Sequence, residues 1–168
     1  MTTTTDPAEI AKFSALAAEW WNPKGPFGAL HRLNPVRLQY IRDVVARHVS
    51  SPVYGGGNKR RALEGVHMLD LGCGGGLVSA PLARMGAKLT AIDASAEAIG
   101  AASAYAEQAG LDIDFQNTTA EGLVERGAQF ELVTALEIIE HVADVNAFLS
   151  AATALVAPGG LLILSTIN

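Results

Sequence analysis

The feature that most constrains this chain is Gly65-Val66-His67-Met68-Leu69-Asp70-Leu71-Gly72-Cys73-Gly74-Gly75-Gly76, where an apolar run breaks off in glycines and a helical pattern resumes at Leu77. That pattern is strand, tight loop, helix. Glycine backbones take positive φ and let a ligand approach the main chain closely. A helix opening straight afterwards turns its free N–H groups toward the same spot. A second strand pattern over residues 88–92 leads to Asp93. An acid about twenty residues beyond the first loop glycine can accept both hydroxyls of a ribose. A dinucleotide fingerprint would place its third glycine where Leu77 stands, which opposes a dinucleotide-dependent oxidoreductase. The bland alternative is a tight turn with no ligand.

With 168 residues, 49% of them hydrophobic, the chain can bury about 70% of its unfolded surface in one core. A formal charge of −5 argues against nucleic acid, which needs a clustered basic face, and favours a small or lipophilic substrate. The single cysteine, Cys73, excludes an internal disulfide and fits a reducing, cytoplasmic compartment. No signal peptide or membrane-spanning run is evident.

Residues 1–5 form a threonine-rich tail expected to be disordered. Asp6-Pro7 has the cap-and-proline form of a helix start, and apolar spacing extends that helix over residues 7–20. Residues 28–33 read as irregular, and Asn34-Pro35 as the start of a second helix over residues 35–49 with Leu38, Ile41, Val45 and Val49 on its apolar face. Residues 50–58, with Pro52 and three glycines, read as a linker. The expected division is a helical extension with linker over residues 1–58 and a core over residues 59–168. In that core, strands at residues 66–71, 88–92, 113–116, 130–136 and 161–166 alternate with helices at residues 77–85, 96–109 and 145–156. The class is α/β with a mostly parallel sheet. Pro81 is expected to bend its helix, and residues 161–166 to form a central strand.

In open sheets of this kind ligands lie beyond the carboxyl ends of the strands. There stand the glycine loop, Asp93, Asn117-Thr118-Thr119-Ala120, whose backbone could flank an adenine ring, and Leu136-Glu137-Ile138-Ile139-Glu140-His141-Val142. On an α-helical turn Glu137, Glu140 and His141 would share one face at i, i+3 and i+4. They would then hold a divalent cation such as Mg²⁺ or Zn²⁺, or His141 would act as a general base oriented by a glutamate. The plain alternative is a helix start whose acids complement the dipole. His31 is a weaker candidate for the pocket wall, His67 reads as buried in a strand, and Cys73 as a packing residue. Trp20-Trp21 reads as core before ligand platform.

Asp70-x-Gly72-x-Gly74-x-Gly76 is similar to the signature of the Rossmann-like S-adenosylmethionine (SAM)-dependent methyltransferases. Phe13, Trp20-Trp21, Phe27, Leu30-His31-Arg32, Asn34-Pro35-x-Arg37, Glu137-x-x-Glu140-His141-Val142 and Pro158-Gly159-Gly160 narrow it. With these the chain resembles the ubiquinone-biosynthesis O-methyltransferases, which methylate polyprenyl catechol intermediates. The resemblance implies a Rossmann-like methyltransferase fold with amino-terminal helices over the cofactor. It implies SAM contacts from Arg37 (methionine carboxylate), Gly72, Asp93 (ribose) and Leu136 (adenosine region), and a divalent-metal site at Glu137, Glu140 and His141. His141 would be the catalytic residue. It further implies a lipophilic polyprenyl catechol or quinol substrate, a cytoplasmic protein peripheral at the inner membrane, and association with other ubiquinone-biosynthesis enzymes. Family members continue with an antiparallel strand pair that this chain lacks, so it is expected to be truncated. The alternatives are a non-catalytic SAM-binding fragment or a methyltransferase of another small phenol.

Overall fold

The computed structural model describes residues 4–48 and 61–166; Val49, the 50–58 linker and Lys59-Arg60 lie outside that range. Five strands, β1 (His67–Leu71), β2 (Lys88–Asp93), β3 (Asp114–Asn117), β4 (Phe130–Leu136) and β5 (Val156–Ser165), form one parallel sheet in the order β3-β2-β1-β4-β5. β2 and β4 flank β1 on opposite sides, so the chain reverses its direction of growth between β1 and β4. The crevice at such a switch point is where open α/β sheets bind ligands.

Alternation along the strands feeds two cores. Leu69, Leu71, Val133 and Ala135 pack on the side of α5 (Ala120–Glu125) and α6 (Val145–Ala154). Met68, Leu89, Leu132 and Ile163 pack with Ile41 and Val45 of α2 (Gly28–His48) and Leu82 of α3 (Ser79–Arg84). Both faces are covered, which is why these strands carry near-continuous apolar runs. α4 (Ala96–Gln108), capped by Ser95, buries Ala98, Ala102 and Ala106 at successive turns.

Several expectations change. Asp6 does cap α1 (Pro7–Ala15) at Ala8 N, but α1 ends at Ala15 and a separate 3₁₀ turn covers Ala17–Glu19. α2 begins at Gly28 and runs through Pro35, so residues 28–33 are helical and Asn34 is no cap. Leu30 packs beside Trp20, Phe27 and Leu77, and Asn34 Nδ2 donates to Leu77 O at 2.8 Å. These tertiary contacts hold a helix through a proline that local sequence would place at its start. Pro81 falls in the first turn of a helix that begins only at Ser79, where its missing N–H has no partner to lose, so it has no kinking role. His67 is exposed at the mouth of β1. β5 starts at Val156, ahead of Pro158, and pairs only with β4 among the described residues, so it is an edge strand. An edge tolerates proline because it spares a ladder donor.

The tail is also ordered where it is described. Thr4 is buried, its N–H donates to Glu121 Oε1 at 3.1 Å, and its carbonyl accepts from Ala143 N at 2.8 Å. Thr5 forms an antiparallel bridge with Val142. The extended backbone found partners 117 residues or more along the chain, which no local pattern encodes.

Candidate functional site

A cavity of about 470 Å³ opens at the carboxyl ends of β1, β2 and β4. Arg37, Gly72, Asp93, Leu136 and His141 all line it, so the candidate cofactor residues do converge. Thr118, Thr119 and Ala120 line it as well.

The floor is the glycine loop. Gly72, Gly74 and Gly76 have φ of 73°, 52° and 82°, the left-handed region that L-side chains avoid. The Gly72 and Cys73 amides both donate to Ile92 O at 2.9 Å, folding the loop back over β2. Asp93 receives Gly74 N on Oδ2 and Ser95 N on Oδ1, both at 2.8 Å, which fixes its carboxylate at the cavity wall. Burial pushes its proton affinity up, and the Ser95 and Gly74 amides oppose that shift. Beneath the loop Asp70 is raised by burial too, although Ser79 Oγ (2.5 Å) and Thr134 Oγ1 (3.0 Å) both donate to it. Cys73 is buried and its thiol is pushed well up, so it is a packing residue without nucleophilic character.

The amino-terminal segment roofs the loop. A Cβ on Gly75 would sit 2.2 Å from Trp20 Cγ, and one on Gly74 would sit 2.4 Å from the Trp20 ring. Trp21 Nε1 donates to Gly75 O at 2.9 Å. Trp20 stacks on Phe27 with ring centres 3.8 Å apart, and Trp21 on Tyr105 at 3.3 Å. The tryptophan pair thus ties the extension to the loop. His31 lies outside the cavity wall and faces Trp20 O at 2.9 Å.

Arg37 comes from the middle of α2 and is 9% exposed. Its Nη2 lies 2.8 Å from Glu137 Oε1 as an ion pair without hydrogen-bond geometry, and neither Nη2 nor Nε has a hydrogen-bond partner among the described residues. A buried cation with unspent donors on a cavity wall suits a ligand carboxylate.

The metal expectation meets a different geometry. Glu137 is not helical: its φ is 55°, its N–H continues the β4–β5 ladder to Ser165 O at 2.9 Å, and its carboxylate takes Ser165 Oγ at 2.7 Å. A 3₁₀ turn over Ile139–His141 follows, where successive residues splay by about 120°. Glu140 accepts from Thr166 Oγ1 at 2.9 Å, and His141 Nδ1 lies 2.7 Å from Glu9 Oε2. Glu137, Glu140 and His141 are therefore committed to three separate partners, and no group of three metal-binding side chains converges among the described residues. As arranged, they do not fit a cation.

Glu9 is the site residue that sequence reasoning passed over. It stands in the first turn of α1, and nothing local announces a partner 132 residues away.

A parallel sheet with a glycine loop after β1, an acid after β2 and a ligand-sized cavity at the switch point defines a nucleotide-type binding fold. The methyltransferase-domain family model matches residues 69–164, and the chain belongs to that family. It is 50% identical over 169 residues to the ubiquinone biosynthesis O-methyltransferase of Cereibacter sphaeroides (strain ATCC 17029 / ATH 2.4.9), covering 98% of this chain and 65% of that protein. It is 47% identical to the protein of the same name from Azorhizobium caulinodans, covering 98% of this chain and 64% of that protein. The chain thus spans just under two thirds of the length of these relatives. Among solved structures, the fold is shared with the DhpI–SAH complex (TM-score 0.67, 24% identity, 94% of this chain and 66% of that one). It is shared as well with magnesium protoporphyrin IX methyltransferase from Synechocystis PCC 6803 with bound SAH (TM-score 0.61, 23% identity, 87% and 63%).

Proposed function

We propose that this chain is the cofactor-binding portion of a SAM-dependent O-methyltransferase of ubiquinone biosynthesis, acting on a hydroxyl of a polyprenyl catechol. The observation that carries the reading is the pairing, in one cavity, of a buried guanidinium with unspent donors and a carboxylate held by two backbone amides. SAM has one group for each: a methionine carboxylate for Arg37 and a ribose for Asp93. Gly72 presents backbone to the ligand, and Leu136 offers an apolar wall to the adenosine.

SAM, when bound, supplies a methyl group already activated on a positive sulfur. The chain's own work is to place a catechol oxygen in line with it and to take that hydroxyl's proton on His141. Positioning is worth up to about 7–11 kcal/mol. A general base contributes roughly 10²–10⁴-fold, or about 3–5 kcal/mol, so exclusion of water and alignment dominate. Cavity residues Phe13, Leu16, Trp20 and Phe27 supply the apolar side for such an acceptor. The reading includes no step through a divalent cation, because Glu137, Glu140 and His141 do not converge on one point and Glu137 is paired with Arg37. A polyprenyl tail keeps the acceptor in a membrane, so the protein would work at its surface, peripherally and beside the other enzymes of the sequence. No described helix is long and apolar enough to cross a membrane.

The test is calorimetric binding of S-adenosylhomocysteine to the 168-residue chain and to Asp93→Ala, followed by methyl transfer from labelled SAM to a short-chain polyprenyl catechol. Binding that the variant loses, with transfer in the wild type, is the expected result. A folded wild type that ignores S-adenosylhomocysteine would overturn the cofactor assignment, and binding without transfer to any catechol would reduce the chain to a binding module.

A further inference from the structure

The cavity wall holds polar atoms left without a hydrogen bond. Six buried side-chain atoms have no hydrogen-bond partner among the described residues, and five of them belong to residues that line the cavity: Trp20 Nε1, Asn34 Oδ1, Arg37 Nε and Nη2, and Glu137 Oε2. An unpaired buried polar group costs free energy, so five gathered at one place mark where the polar groups of a ligand fit. Three are donors and two are acceptors, a set that suits an anion and a cation held close together. α2 runs on through Pro35, so Asn34 stands in the helix one turn ahead of Arg37, and positions three apart are neighbours on one helix face. Asn34 Nδ2 donates to Leu77 O at 2.8 Å, directly after the glycine loop. That bond fixes the amide, because reversing it would set two oxygens against each other. The unspent atom of Asn34 is therefore the acceptor, Oδ1.

An oxygen that can only accept calls for a donor, and beside a carboxylate on Arg37 the donor at hand is an ammonium on the same carbon. We propose that Asn34 Oδ1 receives the α-ammonium of the methionine end of SAM, so that the Asn34–Arg37 turn of α2 reads that zwitterion as a unit. Glu137 Oε2 is the competing acceptor, but its carboxylate already balances Arg37 at 2.8 Å and takes Ser165 Oγ at 2.7 Å. Asn34 is neutral, so the wall presents one cation and one anion to a ligand end that is itself neutral overall. The consequence is specificity. A nucleoside that shares the adenosine but lacks the amino-acid end, such as 5′-methylthioadenosine, leaves Asn34 and Arg37 unpaired, and a site built to bond a group rejects an analogue without it. The inference rests on the SAM reading of the cavity and deepens it.

Calorimetry on the 168-residue chain tests this without turnover, using S-adenosylhomocysteine and its deamino analogue, which keeps the carboxylate and lacks the amine. The wild type should bind the deamino analogue about 10–100-fold more weakly, the worth of a hydrogen bond to a charged group. Asn34→Ala should weaken S-adenosylhomocysteine by a similar factor and leave the analogue unchanged, erasing the preference. Asn34→Asp also loses the donor to Leu77 O but keeps an acceptor, and should retain the preference for the amine. A residue that only ties α2 to the loop would instead weaken both ligands alike in both variants, which would overturn the proposal. Melting temperatures check that the variants fold, and the wild-type comparison needs no variant. Binding of S-adenosylhomocysteine by a wild type indifferent to the amine removes Asn34 and leaves the SAM reading standing. A preference that survives Asn34→Ala also overturns the proposal and passes the ammonium to Glu137. A folded wild type that binds neither ligand overturns the SAM reading, and the proposal falls with it.

Discussion

At the scale of single residues, the Arg37–Glu137 pair is the most informative contact. Two nearly buried charges lie 2.8 Å apart, and both keep hydrogen-bonding capacity unspent. Removing one member of a buried pair strands the other, at a cost of about 3–5 kcal/mol. Glu137→Gln should therefore lower the melting temperature of the free chain. It should also enlarge the shift produced by S-adenosylhomocysteine, because the ligand carboxylate then meets an uncompensated guanidinium. Arg37→Met should lose that ligand shift altogether. Equal ligand shifts in wild type and both variants would remove Arg37 from the carboxylate site. Asp93 adds a pH dependence. Its folded-state proton affinity is raised, so its ionised form is disfavoured at neutral pH, and that penalty lifts as pH falls through the raised value. A ribose bonds the ionised form. Affinity for S-adenosylhomocysteine should thus weaken on acidification through a window above the ordinary carboxylate range, with proton uptake opposing binding. Calorimetry in buffers of different ionisation heat reads this directly, and Asp93→Asn should abolish the slope.

Among the elements, the glycine loop and the tryptophan roof were visible separately in the sequence, but their contact was not. Strand, glycines and acid follow a spacing that chain geometry imposes, and β1, β2 and β4 fall where alternation and apolar runs place them. The ends of α1, α2 and α3 do not, since they depend on packing partners distant in sequence. Gly75 shows the difference: its value lies in the 2.2 Å that separates a notional Cβ from Trp20. Gly75→Ala should destabilise the chain by about 1–3 kcal/mol through overpacking. In a double-mutant cycle Trp20→Leu should relieve part of that cost, measured by urea denaturation. Additive losses would mean that the roof does not press on the loop. The Glu137-x-x-Glu140-His141 stretch misled for a related reason. An i, i+3, i+4 spacing carries its meaning only on an α-helix, and here the first residue still belongs to the sheet ladder while the others sit on a 3₁₀ turn.

Across the whole molecule, the extension before α3 packs on one end of the sheet through Trp20, Trp21, Asn34 and Glu9, while the sheet itself is held by two cores. Local stability should follow that division. Hydrogen exchange should show the deepest protection at β1 and β4. The α1 amides and Ala143 N–H, which depends on Thr4, should exchange faster and gain most protection when S-adenosylhomocysteine binds. Uniform protection, unmoved by ligand, would contradict the extension's part in holding the cofactor. The sequence by itself determined the parallel α/β sheet and its ligand end, with the glycine loop and Asp93 there, because periodicity and glycine spacing are local constraints that survive any packing; Arg37 and Leu136 were legible only through the family resemblance. Only the tertiary structure decided that Glu137 faces Arg37, that His141 faces Glu9 and that Thr4 and Thr5 are ordered. Those contacts join residues roughly 100 or more positions apart, where the outcome depends on which buried polar groups find one another once the sheet has formed.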